Sequence, residues 1–170
     1  MTPKDVQRLF AYNAWAFDRV WGCVERLSDE QFVREVDYSR GSVRNQMLHI
    51  ATAIERWMQR LKGDSPTPGR AAESYPTRGS VRTQWEQTKA ELDAYLATLD
   101  QAKLDEIVVG RLAGRGADYA SRRSDLLLHL ANHGTDHRAQ VLAILHSEFQ
   151  VPTVEQDMVL YLIEADGSAE

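Results

Sequence analysis

The chain has 170 residues, 43% hydrophobic and 26% charged, with 25 acids against 20 bases for a formal charge of −5. This balance is ordinary for a globular protein, is expected to form one domain over residues 1–170, and argues against a sequence-independent grip on nucleic acid. No stretch approaches the roughly 20 apolar residues needed to span a bilayer, MTPKDVQRLF lacks the basic-then-apolar order of a secretion signal, and the lone Cys23 cannot form an internal disulfide, so a reduced cytoplasmic location is expected.

The first helix is announced by Thr2 as a cap, Pro3 at the first helical position and Asp5 as an early acid. Val6, Phe10, Phe17, Val20, Trp21, Val24 and Leu27 then recur at helical spacing down to about residue 27. Cys23 falls among them and reads as a small packing residue. Ser28 and Gln31 form a capping-box pattern for a short helical turn, and the polar DYSRG that follows reads as a loop. A second helix is predicted from Ser42 to about Leu61, with Met47, Ile50, Ile54, Met58 and Leu61 as its buried stripe.

The next segment, GDSPTPGRAAESYPTRG, is too broken by proline for regular structure. A third helix is predicted from Ser80, with Val81, Trp85, Thr88, Leu92, Tyr95 and Leu99 at alternating four-and-three spacing. RGSVR occurs before both helices, at Arg40–Arg44 and Arg78–Arg82, and reads as one capping solution used twice. Residues 105–120 form a small hairpin or an irregular crossing. A fourth helix is expected from about Ser121 to Phe149, roughly 43 Å long by its rise per residue. Pro152 stops it, and Thr153 with Gln156 is expected to cap a short last helix carrying Val159, Leu160, Leu162 and Ile163.

Four main helices and no convincing sheet indicate an all-α fold, a four-helix bundle. The linker of about 18 residues between the second and third helices could reach roughly 60 Å, against ~30 Å for a 20-residue helix. It is therefore long enough to carry the chain back along the bundle and make those helices parallel.

The fourth helix carries the chemistry. His129, His133 and His137 form one stripe, in which neighbours one turn apart share a face. The outer two stand about 12 Å apart along the axis, too far to share one ion, so spacing leaves 129/133 and 133/137 both open. His49, on the second helix, lies on a polar flank beside Arg56 and Arg60, and fits a surface residue or a groove-facing ligand equally well. Three imidazoles around one ion would leave a coordination position open, the pattern of reactive metal sites. His146 falls on the outer face. Trp57, two turns beyond His49, fits either a groove wall or core packing, and core packing is preferred.

The segments YNAWAFDRV (12–20), LSDEQF (27–32), GSVRNQMLHIATAIERWMQRLKG (41–63), HLANHGTDHRAQV (129–141) and PTVEQDMVLYLIE (152–164) resemble the DinB family, within the DinB/YfiT-like superfamily of metal-binding bundles. The resemblance implies an up-down-down-up bundle that binds a divalent ion, commonly zinc or nickel, through His49, His133 and His137. His129 is left as a structural residue. Asp136 and Ala139 stand where many relatives carry histidine and glycine, and neither removes a ligand. Asp136 and Gln140 each lie one turn from a ligand, placed either to orient an imidazole or simply to face solvent.

The resemblance further implies a metal-dependent transferase or isomerase that uses a low-molecular-weight thiol, of the bacillithiol or mycothiol type, on a small-molecule electrophile, and a homodimer. A metal-dependent hydrolase is the alternative, with Asp136 or Glu55 as its base. A stress-associated metal-binding module without turnover is another. The acidic chain, with no basic stripe, gives little support to DNA repair.

Overall fold

The computed structural model describes residues 1–167. Helix α1 (Pro3–Val24) starts at a reciprocal cap, in which Thr2 Oγ1 accepts from Asp5 N while the Asp5 carboxylate accepts from Thr2 N. The short α2 (Asp29–Val33) repeats this arrangement with Ser28 and Gln31. Helix α3 (Val43–Lys62) begins where Ser42 accepts from Asn45 N and ends at Gly63, whose φ of +89° suits glycine. Helix α4 (Arg78–Leu96), the five-residue α5 (Gln101–Asp105), strands β1 (Ile107–Leu112) and β2 (Ala117–Arg122), α6 (Arg123–Phe149) and α7 (Met158–Gly167) follow. The strands form one antiparallel hairpin, pairing Ile107 with Arg122 through Leu112 with Ala117.

Several expected boundaries move, each for a local reason. The third bundle helix starts at Arg78 instead of Ser80, because Thr77 is its cap and Ser80 supplies the reciprocal bond to Thr77 N. RGSVR is therefore not one cap used twice: Ser42 is the cap in the first copy, whereas Ser80 lies inside the helix in the second. Helix α6 begins at Arg123, since Ser121 and Arg122 are held in the β ladder. Thr153 and Gln156 do not cap the last helix, which starts at Met158. Gln156 instead accepts from Arg138 Nε at 2.7 Å through its side chain, and from the Tyr12 hydroxyl at 2.8 Å through its carbonyl.

α1, α3, α4 and α6 form the bundle, and two arginines disclose its directions. Arg123, at the start of α6, donates to the Leu61 carbonyl and to Tyr95 Oη (2.7 Å). The C-terminal ends of α3 and α4 thus lie together at one end, where α6 begins. Arg78, at the start of α4, donates to the Leu27 carbonyl and to Asp29 (2.6 Å), placing the end of α1 beside the start of α4. The order is up-down-down-up. The linker returns along the outside of α3: Thr67 N donates to Gln59 Oε1, and Arg70 pairs with Glu55 at 2.7 Å. One 3-10 turn (Ala72–Ser74) interrupts it.

The predicted stripes of α1 and α3 are buried throughout. Phe17 stacks between Trp21 (5.9 Å) and Trp85 (3.7 Å), so α1 and α4 meet through aromatic faces. Each large side chain buried this way contributes roughly 1.5–3 kcal/mol. No helix among the described residues is long and apolar enough to cross a membrane.

Candidate metal centre

Antiparallel α3 and α6 bring together residues far apart in sequence. His49, a turn and a half into α3, has its ring centroid 5.1 Å from that of His133 and 4.5 Å from that of His137. His133 and His137, one turn apart on α6, are 4.3 Å apart. The Nε2 atoms of His49 and His133 stand 3.1 Å apart, and one ring nitrogen from each of the three lies within 4.8 Å of the others. Around a tetrahedral ion with bonds of about 2.0–2.1 Å, two nitrogens would be roughly 3.3 Å apart. His49 and His133 are thus already near the spacing an ion requires, with His137 within 4.8 Å of both.

Geometry also separates the two pairs that sequence spacing left open. His129 is exposed, 5.9 Å from His133 and packed on Trp57 at 5.2 Å, outside the cluster. Trp57 serves both the core and the groove: half-buried and packed against the core, it meets Tyr119 of the hairpin at 5.8 Å on one side and His129 on the other. His146 is exposed.

Electrostatics keep the cluster in its ligating form. Burial, followed by the Arg40 charge, lowers His49 from the ordinary histidine value to about 3. Burial and the neighbouring His137 lower His133 to about 4. His137 is lowered by burial and then by Arg40. Neutral imidazoles offer lone pairs, so the donor set fits a divalent ion.

Gln46 fixes the tautomer of His137. Its Oε1 accepts from His137 Nδ1 at 3.2 Å, leaving Nε2 free for a ligand. Its Nε2 donates to Gln140 Oε1 (2.6 Å) and to Ser39 Oγ (3.1 Å). Gln140 therefore holds the residue that holds the imidazole. Asp136 is exposed and accepts from Gln140 Nε2 at 3.3 Å.

Sequence reasoning missed Gln46, Ser39 and Arg40. Gln46 had a signal: a polar residue three positions before His49, beside the apolar stripe, and it is fully buried. Ser39 and Arg40 had none, because a tight loop positions them. That loop uses positive φ at Ser39 (+51°) and Gly41 (+81°), and the Arg40 carbonyl accepts from Asn45 Nδ2. Arg40 Nη2 thereby reaches His49 Nε2 at 3.0 Å.

A groove of about 160 Å³ opens beside His49 and His133, walled by Arg40, Arg56, Trp57, Arg60 and Leu112. Cys23 lies elsewhere in the core, 1% exposed, and burial pushes its thiol up, which disfavours the thiolate.

Two solved structures share the fold. A DinB-like protein from Bacillus cereus aligns at TM-score 0.59 and 18% identity, over 86% of this chain and 94% of that one. A conserved protein from Enterococcus faecalis aligns at TM-score 0.66 and 11% identity, over 86% and 96%. No curated protein matches the chain. The model of the DinB family matches residues 1–148, which include all three clustered histidines. The chain belongs to the DinB family.

Proposed function

We propose that His49, His133 and His137 hold a divalent metal ion, zinc or nickel, and that the protein is a metal-dependent transferase joining a low-molecular-weight thiol, of the bacillithiol or mycothiol type, to a small electrophile. The observation that carries this reading is the convergence of three neutral imidazoles, with ligand atoms within 4.8 Å of one another, beside an open groove. A bound divalent ion supplies an open position at which a thiol is favoured as its thiolate. The chain's own part is to hold the rings neutral, to fix His137 through Gln46, and to present the groove. Cys23 is too buried to serve as nucleophile, so the reacting sulfur belongs to the cofactor.

The groove speaks against the hydrolytic alternative, which needs a general base beside the ion. Among the described residues no carboxylate lines it. Glu55 is engaged by Arg70 at 2.7 Å, and Asp136 bonds Gln140.

Metal analysis of the purified protein, then calorimetric titration of its zinc and nickel forms with a small thiol, tests the proposal. The expected outcome is one ion per chain and thiol binding only when metal is present, with both lost in His49→Ala and His133→Ala. A protein that takes up no ion at any stoichiometry, or that hydrolyses an ester without thiol, would overturn it.

A further inference from the structure

The groove beside the three imidazoles is walled by cations that no acid among the described residues pairs with. Arg40, Arg56 and Arg60 line it, and no carboxylate among the described residues does. Among the described residues none of the three pairs with an acid, although the chain has 25 acids and seven other arginines find one. Arg56 Nε and Arg60 Nε are buried without a hydrogen-bond partner. Arg60 lies over the Trp57 ring at 5.1 Å, which holds its guanidinium against the wall. Burial, with the nearby Arg56 charge, pushes Arg60 below the usual guanidinium range.

Grouping like charges with unmet donors costs free energy unless an anion enters. Arg40 adds a second observation. Its Nη2 donates to His49 Nε2 at 3.0 Å, the same lone pair a metal ion would take. An ion taking that lone pair would leave the Arg40 guanidinium without this partner, in the groove it lines.

We infer that Arg40, Arg56 and Arg60 form an anion-binding wall, and that the small molecule taken into this groove carries a carboxylate. The inference rests on the three-histidine reading and adds the charge of its ligand. The carboxylate belongs either to the thiol or to its electrophile, since both present the same chemistry to a guanidinium.

The test titrates the zinc-loaded full chain with two matched pairs: 3-mercaptopropionate against 2-mercaptoethanol, and succinate against succinamide. In at least one pair the carboxylate probe should bind roughly tenfold more tightly than its neutral partner. That preference should collapse in the Arg40→Gln, Arg56→Gln double variant, at unchanged zinc content and melting temperature, and persist in Arg8→Gln on the exposed face of α1. A preference confined to the thiol pair assigns the charge to the thiol, and one confined to succinate assigns it to the electrophile. No preference in either pair, or one that survives the double variant, overturns the wall and leaves the thiol reading standing. If the protein takes up no zinc, the three-histidine reading fails separately, and succinate against succinamide on the metal-free chain still decides the wall.

Discussion

Gln46 joins the two helices of the metal centre through one amide, which accepts from His137 Nδ1 and donates to Gln140 and Ser39. Replacing it with leucine keeps the bulk and removes the constraint on the ring. Zinc affinity of Gln46→Leu, read by competition with a chromogenic chelator, should fall about 10- to 100-fold. An unchanged affinity would mean that something else orients His137. The lowered histidines make a further prediction for the metal-free protein. Unfolded, each takes up a proton near pH 6.5, whereas folded His49 and His133 resist until about 3 and 4. Below pH 6.5 the unfolded state thus binds more protons, and stability falls as pH falls toward 4; above 6.5 these groups contribute no slope. The loss should be on the order of 2 kcal/mol after solvent screening. Urea unfolding at pH 7 and 4.5 measures it, and His49→Gln should flatten the difference relative to the parent chain, which separates it from carboxylate titration.

Among the elements, helices were legible where apolar spacing and caps agreed. Val6 through Val24 on α1, Leu27 just beyond its end, and Met47 through Leu61 on α3 are buried as the periodicity requires. Boundaries moved where two capping residues competed. Ser80 lies three positions after Thr77, and a reciprocal cap gives both residues a bond, so sequence alone does not say which one stands outside the helix. Thr77→Ala should cost about 1 kcal/mol in a urea melt, as should Ser42→Ala. If Ser80 were the true cap, Thr77→Ala would leave stability unchanged. The loop before α3 was the least legible element, because Ser39 and Arg40 owe their places to two positive φ angles and to partners on α3 and α6.

For the whole molecule, the length of the linker allowed α3 and α4 to run parallel, and the family resemblance selected that order. That His49 faces α6 did not follow from its polar flank, and depended on which helices become neighbours. The core of stacked aromatic and aliphatic side chains is buried with no ion among its contacts, so the metal-free protein should remain cooperatively folded. Zinc at a thousandfold over its dissociation constant should stabilise it by about 4 kcal/mol, seen as a higher melting temperature. Unfolding upon chelation would instead mark the ion as structural.

The histidines that meet across α3 and α6 are separated by 84 positions in the chain. An ion held between them would join the ends of that span in the folded protein, so that opening the enclosed segments away from either end must release it. The tie encloses the linker, α4, α5 and the hairpin, and leaves outside the short α2 and the two terminal helices, α1 and α7. Amide exchange in the enclosed segments would slow with the ion's affinity, while fraying of the two outer helices would proceed largely indifferent to it.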